Sequence, residues 1–219
     1  MAAARRRVTP QIALPVLAVG LTSLVATLAP WVLPDGPSLP PPQYVRTSTG
    51  SLTSADRTLL EQLKQRTVAS VALLTDVERE ALQLQMAALA RRLPVLRSLD
   101  TLPAAEEAPS LFIGRIEGAD HFHPARGIAR IVEVPGGLVL RLEDVSLTPG
   151  LGLQVIIADG TRPQAAREGL HLGRLSATEG TLHFALPVGV DLPRTPTVLL
   201  WQDLFSATFA VAKLAPVAS

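Results

Sequence analysis

Hydrophobic and polar positions divide the chain into three successive patterns. From Gln11 to Leu33 the residues are largely apolar, and no charged side chain occurs between Arg7 and Asp35. Between 53 and 94, apolar residues recur at three- and four-residue steps, first as Leu59, Leu63, Thr67, Val71 and Leu74. A second set follows as Val77, Ala81, Leu84 and Ala88, flanked by Leu82 and Leu89. That spacing predicts amphipathic helix. From Leu111 onward the period shortens. Strands are predicted at Gly127 to Val134, Leu138 to Glu143, Leu153 to Ala158, Thr181 to Leu186, Thr197 to Trp201 and Ala207 to Leu214. Turn signals separate them at Pro135-Gly136-Gly137, Asp159-Gly160, Glu179-Gly180 and Pro193 to Pro196. Many short strands with regular turns predict a mainly β domain, an antiparallel β-sandwich over 111–215.

The first pattern has the length of a transmembrane helix, which needs about 20 apolar residues. Lipid offers no hydrogen-bond partners, so such a segment must be helical. Pro15 and Pro30 fall near its ends, and Trp31 sits where an interfacial aromatic belongs. Arg5, Arg6 and Arg7 precede it, and the next basic residue is Arg46. The positive-inside bias therefore predicts a cytoplasmic N-terminus over 1–10, a signal-anchor over 11–33 and an extracytoplasmic body. A cleaved signal peptide is the alternative, but Pro30 after Ala29 would hinder cleavage. A twin-arginine signal fits less well, because Val8-Thr9-Pro10 follows the arginines.

Between the patterns lie two expected linkers. Five prolines fall between Pro34 and Pro42, which favours extended geometry and makes 34–52 a spacer. A second linker is expected over 95–110, with Pro103 and Pro109. Within 53–94, Thr75 and Glu78 have capping-box spacing, so a helix can restart at Thr75. Pro94 ends it. The segment is therefore a helical hairpin or one kinked helix, and a homo-oligomeric stalk is its sharper reading.

Composition removes several function classes. The net charge of +1 and the 4% aromatic content give no case for nucleic acid. With no cysteine, disulfides, thiolate metal sites, a cysteine nucleophile and lipoprotein acylation are all excluded. No nucleophile elbow, phosphate loop, zinc-protease helix or dinucleotide fingerprint occurs.

The β region resembles the DM-thirteen domain family, a β-sandwich module related to DOMON-type domains, in its bacterial form. Phe112-Ile113-Gly114 leads to His123, with Gly127 four residues on. Leu140-Arg141-Leu142-Glu143-Asp144 is similar to the family's "LRLEDF" strand, with Val145 at the aromatic position. Gly150 to Val155 is similar to "GPDLxV" but lacks the proline and the aspartate. Leu172 to Leu175 resembles "LGxLK", and Gly180 to Pro187 resembles "GxxxYxIP" with Phe184 as its aromatic. Leu199-Leu200-Trp201 resembles "VIWC", and Phe209 to Leu214 resembles the closing "FGxAxL". The resemblance implies electron transfer through a cysteine after the tryptophan. This chain has Gln202 there, which can form neither a thiolate nor a sulfenic acid.

Few residues then remain to carry chemistry. His121 and His123 form an H-x-H pair that would share one face of a strand and could offer two imidazoles to copper or zinc. A complete site needs a third ligand, for which only His171 and His183 are available. Pro124 and Asp120 point instead to a turn. Trp201 is expected in the core or beside a pocket, with Gln202 on the opposite face of the strand. Asp144, Glu143 and Asp203 have no spacing that pairs them for acid–base work. Arg162 and Arg167 read as loop residues. The expectation is a membrane-tethered, extracytoplasmic binding or accessory module without catalysis or cofactor of its own. The alternatives are a redox or metal-handling envelope protein and an oligomeric envelope scaffold.

Overall fold

The computed structural model describes residues 36–47, 50–121 and 123–218. The expected cytoplasmic segment over 1–10 and the span over 11–33 lie outside the described residues. No described helix is long and apolar enough to cross a membrane.

The chain begins with β1 (Tyr44–Arg46), then three helices, α1 (Ser54–Gln65), α2 (Val68–Ala72) and α3 (Asp76–Ala90). Next come β2 (Leu96–Ser98), α4 (Pro103–Glu107), β3 (Ser110–Gly118), β4 (Ala125–Val134) and β5 (Gly137–Leu147). The rest comprises β6 (Leu153–Ala158), α5 (Pro163–Glu168), β7 (Leu170–Arg174), β8 (Glu179–Ala185), β9 (Thr197–Gln202), β10 (Ala207–Lys213) and β11 (Ala215–Pro216).

The fold is mainly β, but the predicted antiparallel sandwich needs correcting. The described strands form one continuous sheet in the order β1-β2-β8-β5-β4-β3-β10-β9-β6-β7, with β11 added to β3. The β2–β8 contact is parallel, a single pair at Arg97 and Glu179. The sheet curls far enough for one core to collect residues from both of its halves. Ile116, Leu140 and Leu182 pack in the same cluster as Val155, Val198 and Phe209. Register shifts in β3–β4, β4–β5, β5–β8, β6–β7 and β9–β10 supply the bends. A bulge adds one residue to one strand and sharpens its twist. Period-2 patterning reveals strands but not where a strand bends, so a single coiled sheet reads in sequence like two stacked ones.

One bulge explains Asp144. Its backbone is left-handed at φ 47° and its side chain is exposed. Across the ladder, Gly127 has φ 145°, and a Cβ there would stand 2.8 Å from the Glu143 carbonyl oxygen. Asp and Gly are suited to these conformations.

Both expected linkers enter the sheet. β1 pairs antiparallel with β2 through Tyr44–Ser98, Val45–Arg97 and Arg46–Leu96. Pro37 is buried against the turn at Gly136 and Gly137, which have φ 98° and 142°. In 95–110, α4 lays Ala105 over Val132, Val134 and Val139, with Leu39 and Leu102 alongside. Polar and proline-rich composition hides such short elements, because they contribute backbone hydrogen bonds and few apolar side chains.

The 53–94 segment is a hairpin of α1 and α3 with α2 inserted at the bend. Each helix opens with a capping box: Thr53 with Asp56, Thr67 with Ser70, and Thr75 with Glu78. Asp56 near the start of α1 meets Arg92 beyond the end of α3, with Nε and Nη2 donating over 3.0 and 2.5 Å. The buried face of α3 is not the predicted one. Val77, Ala81, Leu84 and Ala88 are exposed, while Leu82 and Leu89 are buried and Met86 and Leu93 half-buried. Both rows have helical spacing. The row with the larger buried side chains packs on Leu63, Val71, Leu151 and Phe205.

Candidate functional site

After β3 ends at Gly118, the chain reverses sharply. A Cβ on Gly118 would lie 2.1 Å from the His123 carbonyl oxygen, so the turn closes only around glycine. Asp120 organises the reversal. Its carboxylate accepts the His123 backbone N–H at 2.9 Å and lies 2.9 Å from the ring Nδ1 through both oxygens. An ionised carboxylate only accepts, so Nδ1 carries a proton, and in the neutral ring Nε2 is then the acceptor. The ring also rests on Phe209 of β10, with centroids 4.3 Å apart and planes tilted 51°. Phe209 sits at the β10 bulge between Thr208 and Ala210.

Gln202 ends β9 and is buried. Its side-chain amide donates to the Leu151 carbonyl at 3.3 Å, which leaves Oε1 as an acceptor. The chain then enters a 3₁₀ turn, Asp203–Phe205, and Ser206 is left-handed at φ 49°.

These elements and α3 enclose a cavity of about 380 Å³. The helix contributes Leu84, Met86 and Leu89, with Leu93 just beyond its end, and the β domain contributes Leu151, Phe205 and Phe209. His123, Gln202, Thr148 and Thr208 supply polar groups among these apolar walls. Among the described residues, Glu80 and Asp120 are the charged ones of the lining, which includes no lysine or arginine. Mostly apolar concavity with a few convergent polar groups is the usual form of a small-molecule site.

The structure thus brings together two of the sequence-predicted residues, His123 and Gln202, and separates the others. His121 is exposed on the turn. Trp201 points to the opposite face from Gln202 and packs with Ile156, Ala158, Ala166 and Leu199, partly beneath α5. Asp144 serves the bulge. His171 is exposed on β7, and His183 on β8 lies half-buried beside Arg141 across the ladder. Burial first, and the Arg141 guanidinium second, push the His183 imidazole below its ordinary pKa. Among the described residues, no group of three or more His, Cys, Asp or Glu side chains comes together as a metal cage. The third ligand required by the copper or zinc alternative at His121 and His123 is therefore not supplied there.

Sequence reading missed Asp120, Phe209 and the α3 wall as site components. Two signals pointed to them. Asp120 stands three residues before His123, the spacing of a side chain that caps its own turn. Leu82, Met86, Leu89 and Leu93 follow a four-three-four rhythm that competes with the row at Val77 and Leu84.

No curated protein and no solved structure matches the chain. A family model described as "Electron transfer DM13" matches residues 118–214. The match opens at Gly118, where the site turn begins, and takes in His123, Gln202 and Phe209. This part of the chain is a DM13 domain.

Proposed function

We propose that the protein is a membrane-tethered binding module, without catalysis of its own, that holds a small, largely apolar molecule between α3 and its DM13 domain. The cavity carries this reading: it joins apolar walls to His123 and Gln202. The tether rests on the uncharged run from Gln11 to Leu33 and the arginines before it, and an extracytoplasmic location follows from the same charge bias.

Met1 and Met86 are the chain's two methionines, and Met86 lines the cavity. Methyl-¹³C methionine labelling therefore gives one reporter inside the site. With the full chain in lipid nanodiscs, naphthalene should shift the Met86 methyl resonance saturably. Ala87→Phe, which fills the cavity from α3, should abolish the shift. No saturable shift in the unsubstituted chain, or turnover of a bound molecule by the purified protein, would overturn the reading.

Electron transfer is a second reading, favoured by the description of the matching family model. In a chain without cysteine, the electron carrier would have to be the bound molecule itself.

A further inference from the structure

We infer that the cavity selects an uncharged aromatic alcohol, a phenol-like molecule whose hydroxyl donates to His123 Nε2 or Gln202 Oε1. The inference rests on the binding reading above and names the ligand class of the same site.

Three observations converge on this chemistry. The two most deliberately placed polar side chains both present acceptors. Asp120 takes the Nδ1 proton of His123, and the Leu151 carbonyl takes an amide proton of Gln202. A ligand hydroxyl that donates therefore finds an acceptor at either side chain, while the second Gln202 amide N–H and the Thr148 and Thr208 hydroxyls can meet its oxygen. Among the described residues, the lining contains Glu80 and Asp120 but no lysine or arginine. A carboxylate or phosphate would lose its hydration without a cationic partner, at a cost that pairing alone offsets. Asp120 is already engaged by His123, so the acid nearest the acceptors offers little to an ammonium ligand. The walls, finally, include Phe205, Phe209 and the thioether of Met86, and aromatic and thioether groups favour an aromatic guest.

In this arrangement Asp120 is a positioning residue. It fixes the imidazole tautomer, and the ligand hydroxyl meets the nitrogen that remains. The hydrogen bond extends from hydroxyl to imidazole to carboxylate, and no proton needs to move.

The test uses the Met86 methyl signal of the full chain in nanodiscs and four probes with one ring system: naphthalene, 1-naphthol, 1-naphthoate and 1-naphthylmethylammonium. The expected order is 1-naphthol tightest, naphthalene about tenfold weaker, as one net hydrogen bond allows, and both ions weaker than naphthalene. Gln202→Leu and His123→Phe should each lower the ratio of naphthol to naphthalene affinity. Asp120→Asn should lower the naphthol preference and shift the imidazole ¹⁵N resonances toward the other tautomer. Equal affinity for naphthol and naphthalene would overturn the inference and leave the binding reading standing. So would an ion that binds as tightly as naphthol. Failure of all four probes to shift Met86 would overturn both. If His123→Phe does not fold, Gln202→Leu alone decides, because Gln202 takes no part in the Asp120 turn.

Discussion

The two walls of the cavity are held in place by different means. The β wall joins, through Phe209, a core of nineteen buried hydrophobic residues collected from a curled sheet. The helical wall rests on four, Leu63, Val71, Leu82 and Leu89, together with three capping boxes and the Asp56–Arg92 pair. Local stability follows buried apolar contacts, so the helical hairpin should open before the sheet does. The β wall then fixes the positions of His123 and Gln202, while α3 governs how readily the cavity opens.

The largest test of this contrast removes one leucine from each core. Leu140 and Leu89 are 0% and 1% exposed, so changing either to alanine should cost about 2–5 kcal/mol by the usual cavity effect. Leu140→Ala should lower the global Tm. Leu89→Ala should chiefly raise amide exchange within 54–93. Equal, global loss of protection in both variants would show that hairpin and sheet open as one unit.

Strong acid should act on the hairpin. The Arg92 guanidinium, helped by the Thr53 backbone N–H, lowers the Asp56 carboxyl to about 2 from a reference of 3.8. Its contribution is therefore complete above about pH 4 and lost as pH falls toward 2. Circular dichroism should show helical signal falling over that window, and Arg92→Ala should move the loss to higher pH. An unchanged acid profile in Arg92→Ala would remove this ion pair from the contrast.

A smaller effect is expected from the cap of α3. Thr75→Ala removes the hydroxyl that accepts the Glu78 N–H at 3.3 Å and should cost about 1 kcal/mol. Amide exchange should rise in the first turn of α3 and stay unchanged in β4 and β5.

The sheet has a pH response of its own, smaller and in a different range. His183 is depressed by burial and by Arg141, with Asp100, Glu106 and Glu143 opposing. Neutral imidazole is favoured in the fold, so stability from this group is complete above about 6.5 and falls as pH drops through the lowered value. Thermal melts between pH 7.5 and 5 should show that slope, and His183→Gln should flatten it. The smallest change comes from the exposed face of α3, where Val77→Ser should alter Tm within the scatter of surface substitutions, about 0.5 kcal/mol.

The same contrast separates what the sequence made legible from what it did not. Strand positions and the Thr75 cap could be read because each depends on neighbours a few residues apart. The β region also carried the family resemblance, from Phe112 through Leu214. The curl of the sheet could not be read, because it depends on bulges that set Gly127 against Asp144 across two strands. The buried face of α3 was ambiguous for a related reason: Val77 and Leu84 match a helical period as well as Leu82 and Leu89 do, and only Phe205 and Leu151, far away in sequence, choose between them. His123 and Gln202 were each singled out along the chain. Their meeting in one cavity required β3, β9 and β10 to be neighbours, an arrangement that no local spacing encodes.

The attachment of β1 has a mechanical consequence. β1 lies at the edge of the sheet and is held to β2 by three residue pairs, and β2 joins β8 through one. Ahead of it, Pro37 is lodged on the Gly136-Gly137 turn. Tension applied to the chain before Gly36 would meet the Pro37 contact and the β1–β2 pairs first. Peeling β1 would lengthen the chain ahead of α1, the next element in sequence, before load reached the hairpin that forms one wall of the cavity. Such a segment works as a fuse, yielding under load before the cavity is strained.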